Sequence, residues 1–201
     1  MAAGTYKFRV NEIFYSLQGE GAHAGSPAVF VRFSGCNLRC PFCDTDFKDH
    51  RDMTEWEIVE AVKEVGKDCR FVVFTGGEPA LQLTPYLVEL LHGEMYMVAV
   101  ETNGTLALPH NVDWITVSPK CAFVGESGAP RLKAASEVKI VFDGEHEVSD
   151  YGIAAAHYFL QPCDTADPEK NAEIIRQCVD YIKCHPKWRL SLQTQKIIGV
   201  R

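Results

Sequence analysis

Seven short apolar runs punctuate this chain: AVFVRF (28–33), FVVF (71–74), MVAV (97–100), WITV (114–117), VKIVF (138–142), YFL (158–160) and RLSL (189–192). Their length and near-continuous apolarity suit parallel strands covered on both faces. Helical signals lie between them. Thr54 followed by Glu57 forms a capping box, and Trp56, Val59, Val62 and Val65 recur down one face until Gly66 stops the helix. Thr84-Pro85 opens a second helix that ends near Gly93, and Asp167-Pro168 opens a third carrying Ile174, Ile175, Val179 and Tyr181. This alternation predicts an α/β fold with a parallel sheet, barrel-like or open. A chain of 201 residues without repeat or linker fits one domain over 1–201.

Polar motifs stand where these strands stop. Cys36 follows AVFVRF, TGGEP (75–79) follows FVVF, and ETNG (101–104) follows MVAV. SPK (118–120) follows WITV, QPCD (161–164) follows YFL, and QTQK (193–196) follows RLSL. In a parallel α/β fold all strand C-termini face the same way, so the six motifs are expected to converge on one mouth.

A formal net charge of −7 argues against a general phosphate-backbone binder, so no nucleic-acid partner is expected. MAAGTYKFRV at the start has no apolar h-region and no stretch approaches the length of a membrane span, so no membrane partner is expected either. The expected location is the cytoplasm. There, eight cysteines favour metal ligation over four disulfides, above all in the cluster GCNLRCPFCDTDF (35–47).

Cys36, Cys40 and Cys43 have the spacing C-x3-C-x2-C on a loop directly after a strand. A cubane iron–sulfur cluster normally takes four thiolates, and three leave one iron free for an outside ligand. A structural zinc site is the alternative. It needs a fourth ligand, for which His50 is the nearest candidate, at an unusual spacing from Cys43.

The cysteine spacing, with TGGEP after the next strand, resembles radical S-adenosylmethionine enzymes. Within them the chain is similar to the 7-carboxy-7-deazaguanine synthase family, through NEIFYSLQGEG (11–21), VRFSGCNLRCPFCDT (31–45), FTGGEP (74–79), ETNG, SPK, QPCD and the tail SLQTQKIIGVR (191–201). The resemblance implies an abbreviated, partial (β/α) barrel of the radical type with parallel strands. It implies a 4Fe–4S cluster held by Cys36, Cys40 and Cys43, with S-adenosylmethionine on the open iron. The activity implied is a lyase converting 6-carboxy-5,6,7,8-tetrahydropterin to 7-carboxy-7-deazaguanine and ammonia, begun by radical removal of the hydrogen at carbon 6. A flavodoxin-like or other one-electron reductant and a homodimer are implied as partners.

Residue by residue, the resemblance puts Phe42, Cys43, Asp44, Gly77, Glu78, Ser118, Pro119 and Lys120, with Gln161, Pro162, Cys163 and Asp164, around S-adenosylmethionine. Gly77 suits a close backbone approach. Glu78, between Gly and Pro, can fix neighbouring backbone donors without being a ligand. Leu17, Gln18, Gly19, Glu20, Arg32, Thr75 and the terminal Arg201 are implied around the pterin, whose edge an amide and a carboxylate can read. Arg32 inside an apolar strand needs a partner, which a structural ion pair supplies as well as a ligand does. Position 195 is Gln where the tail pattern QTHK has His. Magnesium is implied on Thr45, where a hard cation would take one protein oxygen with substrate and water; a turn cap at Asp44 is the plainer role for that hydroxyl.

Three other readings are open to the sequence. An activase of glycyl-radical enzymes has no use for QGEG or CDT. An iron–sulfur electron carrier needs no TGGEP mouth, and a structural zinc protein needs neither.

Overall fold

The computed structural model describes residues 6–43 and 49–201. Nine strands among them form one sheet: β1 (Phe8–Leu17), β2 (Pro27–Phe33), β3 (Arg51–Met53), β4 (Phe71–Gly76), β5 (Met97–Thr102), β6 (Trp114–Val117), β7 (Ala134–Phe142), β8 (Ala154–Pro162) and β9 (Arg189–Leu190). The spatial order is β3-β1-β2-β4-β5-β6-β7-β8-β9. From β2 to β9 every neighbouring pair is parallel, whereas β1 runs antiparallel to both β2 and β3. The sheet does not close, since β3 and β9 are its two edges, and the outcome is a partial barrel.

All seven apolar runs fall on strands, RLSL only through Arg189 and Leu190. β1 and β3 lie outside them because FRVNEIFYSL alternates instead of running apolar: Phe8 and Val10 are buried while Arg9 is exposed. An antiparallel outer strand with one wet face reads this way.

Three helices cover one face. α1 (Glu55–Gly66) carries the capping box, with Glu57 N donating to Thr54 Oγ1 at 3.3 Å and Thr54 N donating to Glu57 Oε2 at 2.7 Å. It buries Ile58, Val59 and Val62, but Trp56 is 58% exposed, which corrects its expected place on the buried face. At the helical step Trp56 points more than a right angle from the middle of that stripe. α2 (Pro85–Gly93) buries Leu87, Val88 and Leu91. α4 (Pro168–Cys184) buries Ile174 and Cys178, leaving Ile175 and Val179 on its exposed flank. Two short helices, α3 (Cys121–Val124) and α5 (Thr194–Ile198), follow β6 and β9. No helix among the described residues is long and apolar enough to cross a membrane.

The helix side holds two apolar cores, one around Phe8, Phe33, Phe74 and Leu87, the other around Val138, Leu160, Ile174 and Trp188. On the opposite, inner face a third apolar cluster sits towards the strand starts, where Ala28, Val73 and Ala99 pack with Phe30, Phe71 and Trp114. Two residues further along the same rows stand Arg32, Thr75, Glu101 and Thr116, in register across β2, β4, β5 and β6. The strand period of two therefore points a polar row inward at the C-terminal ends.

Candidate active site

Two cavities open on this inner face. The larger, about 820 Å³, is lined from seven strand ends: Cys36 after β2, Gly76 and Gly77 at β4, Thr102 and Asn103 at β5, Ser118 and Lys120 after β6, Val141 and Asp143 at β7, Gln161 to Asp164 at β8, and Gln193 after β9. The expected convergence of motifs is met. The smaller, about 470 Å³, lies between β1, β2 and the tail, and is lined by Leu17, Gln18, Gly19, Glu20, Arg32, Thr75 and Arg201 among others. Glu20, Thr75, Glu101, Gln193 and Lys196 line both, so these residues form the junction.

Cys36, Cys40 and Cys43 all line the larger cavity, and Leu38 N donates to Cys36 Sγ at 3.4 Å. Burial and the charge of Glu78 and Cys43 push the Cys36 thiol up. Burial also raises Cys40, against the attraction of Lys120. Such thiols ionise when a cation takes them. Among the described residues no three His, Cys, Asp or Glu side chains are gathered closely enough to hold a metal ion. A four-iron cluster binds each thiolate through a different iron, so it needs three sulfurs around a cavity rather than three on one ion. The donor set fits that group.

TGGEP braces the cysteine loop. Gly77 N donates to Phe33 O at 3.0 Å and Glu78 N to Gly35 O at 2.9 Å. A Cβ at Gly77 would lie 1.9 Å from Gly35 O, so the missing side chain is required by protein backbone. Glu78 is fully buried and outside the cavity lining. Its carboxylate accepts from Thr102 Oγ1 at 2.6 Å, Asn103 N at 2.8 Å and Ala80 N at 3.0 Å, fixing backbone donors. Burial raises its pKa, opposed by those three bonds. Asn103 in turn bonds Asn37 at 3.0 Å, so ETNG and the cysteine loop share one network.

Lys120 lies in the larger cavity, its ammonium bonded to Ser118 and 6.0 Å from the Phe42 ring centroid. Burial and then repulsion by Lys139 bring its pKa down to about 8. Phe42 packs edge-on against Phe123 at 4.6 Å between centroids. Asp164 accepts from Lys196 at 2.9 Å, a bond that, with those from Ala166 and Asn171, holds it at about 2. Pro119 is buried and outside the lining.

At the junction, Lys139 on β7 donates to Glu20 Oε2 and, at 2.7 Å, to Glu101 Oε2. Gln18 Nε2 donates to Glu101 Oε1 at 3.1 Å. Gln193 Nε2 and Gln195 Nε2 each donate to Glu20 Oε1 at 3.2 Å. Burial works to raise Glu20, but the charge of Lys139 and these bonds outweigh it and hold the carboxyl at about 2. Gln195 fits there because a Cβ at Gly19 would lie 1.7 Å from its Oε1.

At the outer end, Arg32 Nε donates to Glu12 Oε1 at 2.8 Å, and Glu12 Oε2 accepts from the Arg201 guanidinium. The main-chain oxygen of Arg201 accepts from Ser16 Oγ at 2.5 Å, so Arg201 lies on β1 and lines the smaller cavity. Arg32 thus has a structural partner and also faces the cavity.

Asp44 and Thr45 lie outside the described residues. The structure adds Glu12 and Lys139 to the expected residues, and from the expected motifs ETNG and QTQK it brings Glu101, Gln193 and Gln195 to the junction. Lys139 carried a signal, being a charge inside the apolar run VKIVF, as Arg32 is inside AVFVRF.

The sequence profile of the Radical SAM superfamily matches residues 30–122. A 7-carboxy-7-deazaguanine synthase of Bacteroides thetaiotaomicron is 46% identical over 194 residues, covering 96% of this chain and 98% of that protein. The enzyme of the same name from Burkholderia multivorans is 40% identical over 216 residues, covering 96% and 99%. Among solved structures, QueE from Escherichia coli superposes with a TM-score of 0.74 at 26% identity, over 94% of each chain. SuiB of Streptococcus suis, at 14% identity and a TM-score of 0.51 over 77% of this chain and 46% of that one, shares the fold.

Proposed function

The chain belongs to the 7-carboxy-7-deazaguanine synthase family of radical S-adenosylmethionine enzymes, and on that premise we propose how its two joined cavities divide the work. The activity is that of a lyase turning 6-carboxy-5,6,7,8-tetrahydropterin into 7-carboxy-7-deazaguanine with loss of ammonia. The observation that carries the division is the junction: a cavity walled by three cysteines meets one walled by Gln18 and Arg32 across Glu20, Thr75 and Glu101. A hydrogen atom can pass only between molecules in contact, so cofactor and substrate belong on either side of that wall.

In this reading Cys36, Cys40 and Cys43 hold the cluster, and Phe42, Gly77, Ser118, Lys120 and Gln161 to Asp164 wall the cofactor. The cluster and S-adenosylmethionine, when bound, supply the one-electron chemistry that removes hydrogen from carbon 6. What the chain supplies is position and dryness. Leu38 N–H steadies the Cys36 sulfur, Lys120 brings a half-buried positive charge to the cofactor side, and the Phe42–Phe123 pair excludes water. Glu78 and Pro119 serve behind the cavity, Glu78 by keeping the loops in register. Leu17, Gln18, Gly19 and Glu20 face the ring, while Arg32 and Arg201 offer positive charge at the outer end.

Magnesium belongs to the same reading: Thr45 would hold it through its hydroxyl, and as a hard cation it would supply positive charge for the substrate carboxylate. A flavodoxin-like one-electron reductant and a homodimer complete it. A cytoplasmic location goes with it, where a reducing environment keeps Cys36, Cys40 and Cys43 available as thiolate ligands.

The test is anaerobic reconstitution. Iron and sulfide are counted, then the protein is incubated with S-adenosylmethionine, reductant and the carboxytetrahydropterin. Product and ammonia detected by mass spectrometry and enzymatic assay support the reading. A full cluster that cleaves S-adenosylmethionine yet gives no deazaguanine overturns it.

A further inference from the structure

The junction holds more charge than cofactor and substrate positioning have used. Glu20, Glu101 and Glu137 crowd the inner face there, and Lys139 is the cation in contact with two of them. Its side chain is 5% exposed, and those of Glu20 and Glu101 are 14% and 22% exposed. The arrangement is asymmetric within each carboxylate. One oxygen of each accepts from Lys139, while the other accepts only from side-chain amides at 3.1–3.2 Å. A carboxylate oxygen has two lone-pair sites; Glu20 Oε1 is filled by the two amides, so Glu101 keeps one site on each oxygen and Glu20 one on Oε2 for a ligand's N–H groups.

We infer that Lys139 is a positioning residue that holds Glu20 and Glu101 as paired ionised acceptors for the ring N–H groups beside the reacting carbon, and thereby selects the reduced pterin ring. The inference rests on the proposed function, which brings carbon 6 of the substrate to the junction. Nitrogen 5 is bonded to that carbon, and in the tetrahydropterin it carries a hydrogen. In the oxidised 6-carboxypterin the same position is a bare lone pair. A lone pair against a carboxylate repels, whereas an N–H donates a charge-assisted bond. Without the ammonium, two half-buried carboxylates so close would not both stay ionised; one would take up a proton and become a donor. Lys139 thus decides whether the wall accepts or donates. Glu137 takes no part in the acceptor pair, since it lines neither cavity and its oxygens face Ala22 N at 2.9 Å and Thr116 Oγ1 at 3.0 Å.

Equilibrium binding measured anaerobically on cluster-loaded protein, without reductant, tests this with two probes, the carboxytetrahydropterin and 6-carboxypterin. Wild-type protein should prefer the reduced ring. Lys139→Met should weaken its binding by about tenfold or more while changing 6-carboxypterin affinity little. Lys139→Arg, which keeps the charge, should restore part of the preference. Equal losses for both ligands would make Lys139 a structural residue and overturn the inference. Should Lys139→Met not fold, Glu101→Gln removes one ionised acceptor: the same selective loss is expected, and equal losses overturn the inference. Wild-type protein that binds both rings equally overturns this inference alone; wild-type protein that binds neither overturns the proposed function with it.

Discussion

Thr102 donates its hydroxyl to the buried carboxylate of Glu78 across 2.6 Å, tying the loop after β5 to the loop after β4. Since Glu78 N also reaches Gly35 O at 2.9 Å, one residue holds three consecutive loops of the mouth in place.

Glu78→Gln keeps the shape but replaces an oxygen that accepts from a hydroxyl or a backbone N–H by an NH2 group. Two donors then face each other in a buried place. We expect a loss of about 1–3 kcal/mol in unfolding free energy, with poorer cluster retention. Chemical denaturation and iron content of the variant check it; unchanged stability would remove Glu78 from its bracing role.

Cys36→Ala, Cys40→Ala and Cys43→Ala should each abolish S-adenosylmethionine cleavage and lower iron content. Cys69→Ala and Cys178→Ala should retain both. Cys178 is fully buried in the second core, so its change should cost about 1 kcal/mol of stability through a small cavity. Cleavage retained in any of the first three would refute the ligand assignment.

Arg32→Ala and Gln18→Ala should raise the KM for the carboxytetrahydropterin while leaving the cluster absorbance unchanged. For Arg32 the competing outcome is concrete, because its bond to Glu12 also joins β1 to β2. Loss of folding or of the cluster, with an unchanged KM, would make the pair structural.

Chelating magnesium should slow product formation and leave the cluster in place, whose thiolates do not bind hard cations. Thr45→Val deletes the hydroxyl and should leave activity low and nearly insensitive to added magnesium. A wild-type response to magnesium in that variant would move the cation elsewhere.

Acid should loosen the junction in a defined window. Glu20 is held at about 2 against an ordinary value of 4.5. A carboxyl depressed by folding adds stability that is fully present above its unfolded value and is lost as pH falls through the folded one. Between pH 5 and 2, stability of the cluster-free protein should therefore fall more steeply for wild type than for Glu20→Gln. Glu78 and Glu137, whose burial raises them, act in the opposite sense in both proteins and cancel from the difference. Parallel slopes would show that Glu20 is not held ionised by Lys139.

Much of this molecule is written locally. The capping box at Thr54 and Glu57, the Pro-opened helices and the seven apolar runs each act within a few residues, so the strand–helix alternation and the direction of the strand ends follow from the sequence. The cysteine loop is equally local, three thiols in eight positions, and so is TGGEP beside it. The junction is different. Lys139 meets Glu20 across 119 residues and Glu101 across 38, and Gln195 meets Glu20 across 175. Nothing in the neighbourhood of any one of them specifies the others. Their meeting depends on strand order and register, on β1 turning antiparallel at the sheet's edge, and on the tail lying back over it. Sequence determined which groups could do chemistry, because spacing and periodicity act at short range. Only tertiary structure decided which buried charges share one wall, because burying a charge is tolerable only where a partner arrives from elsewhere in the chain.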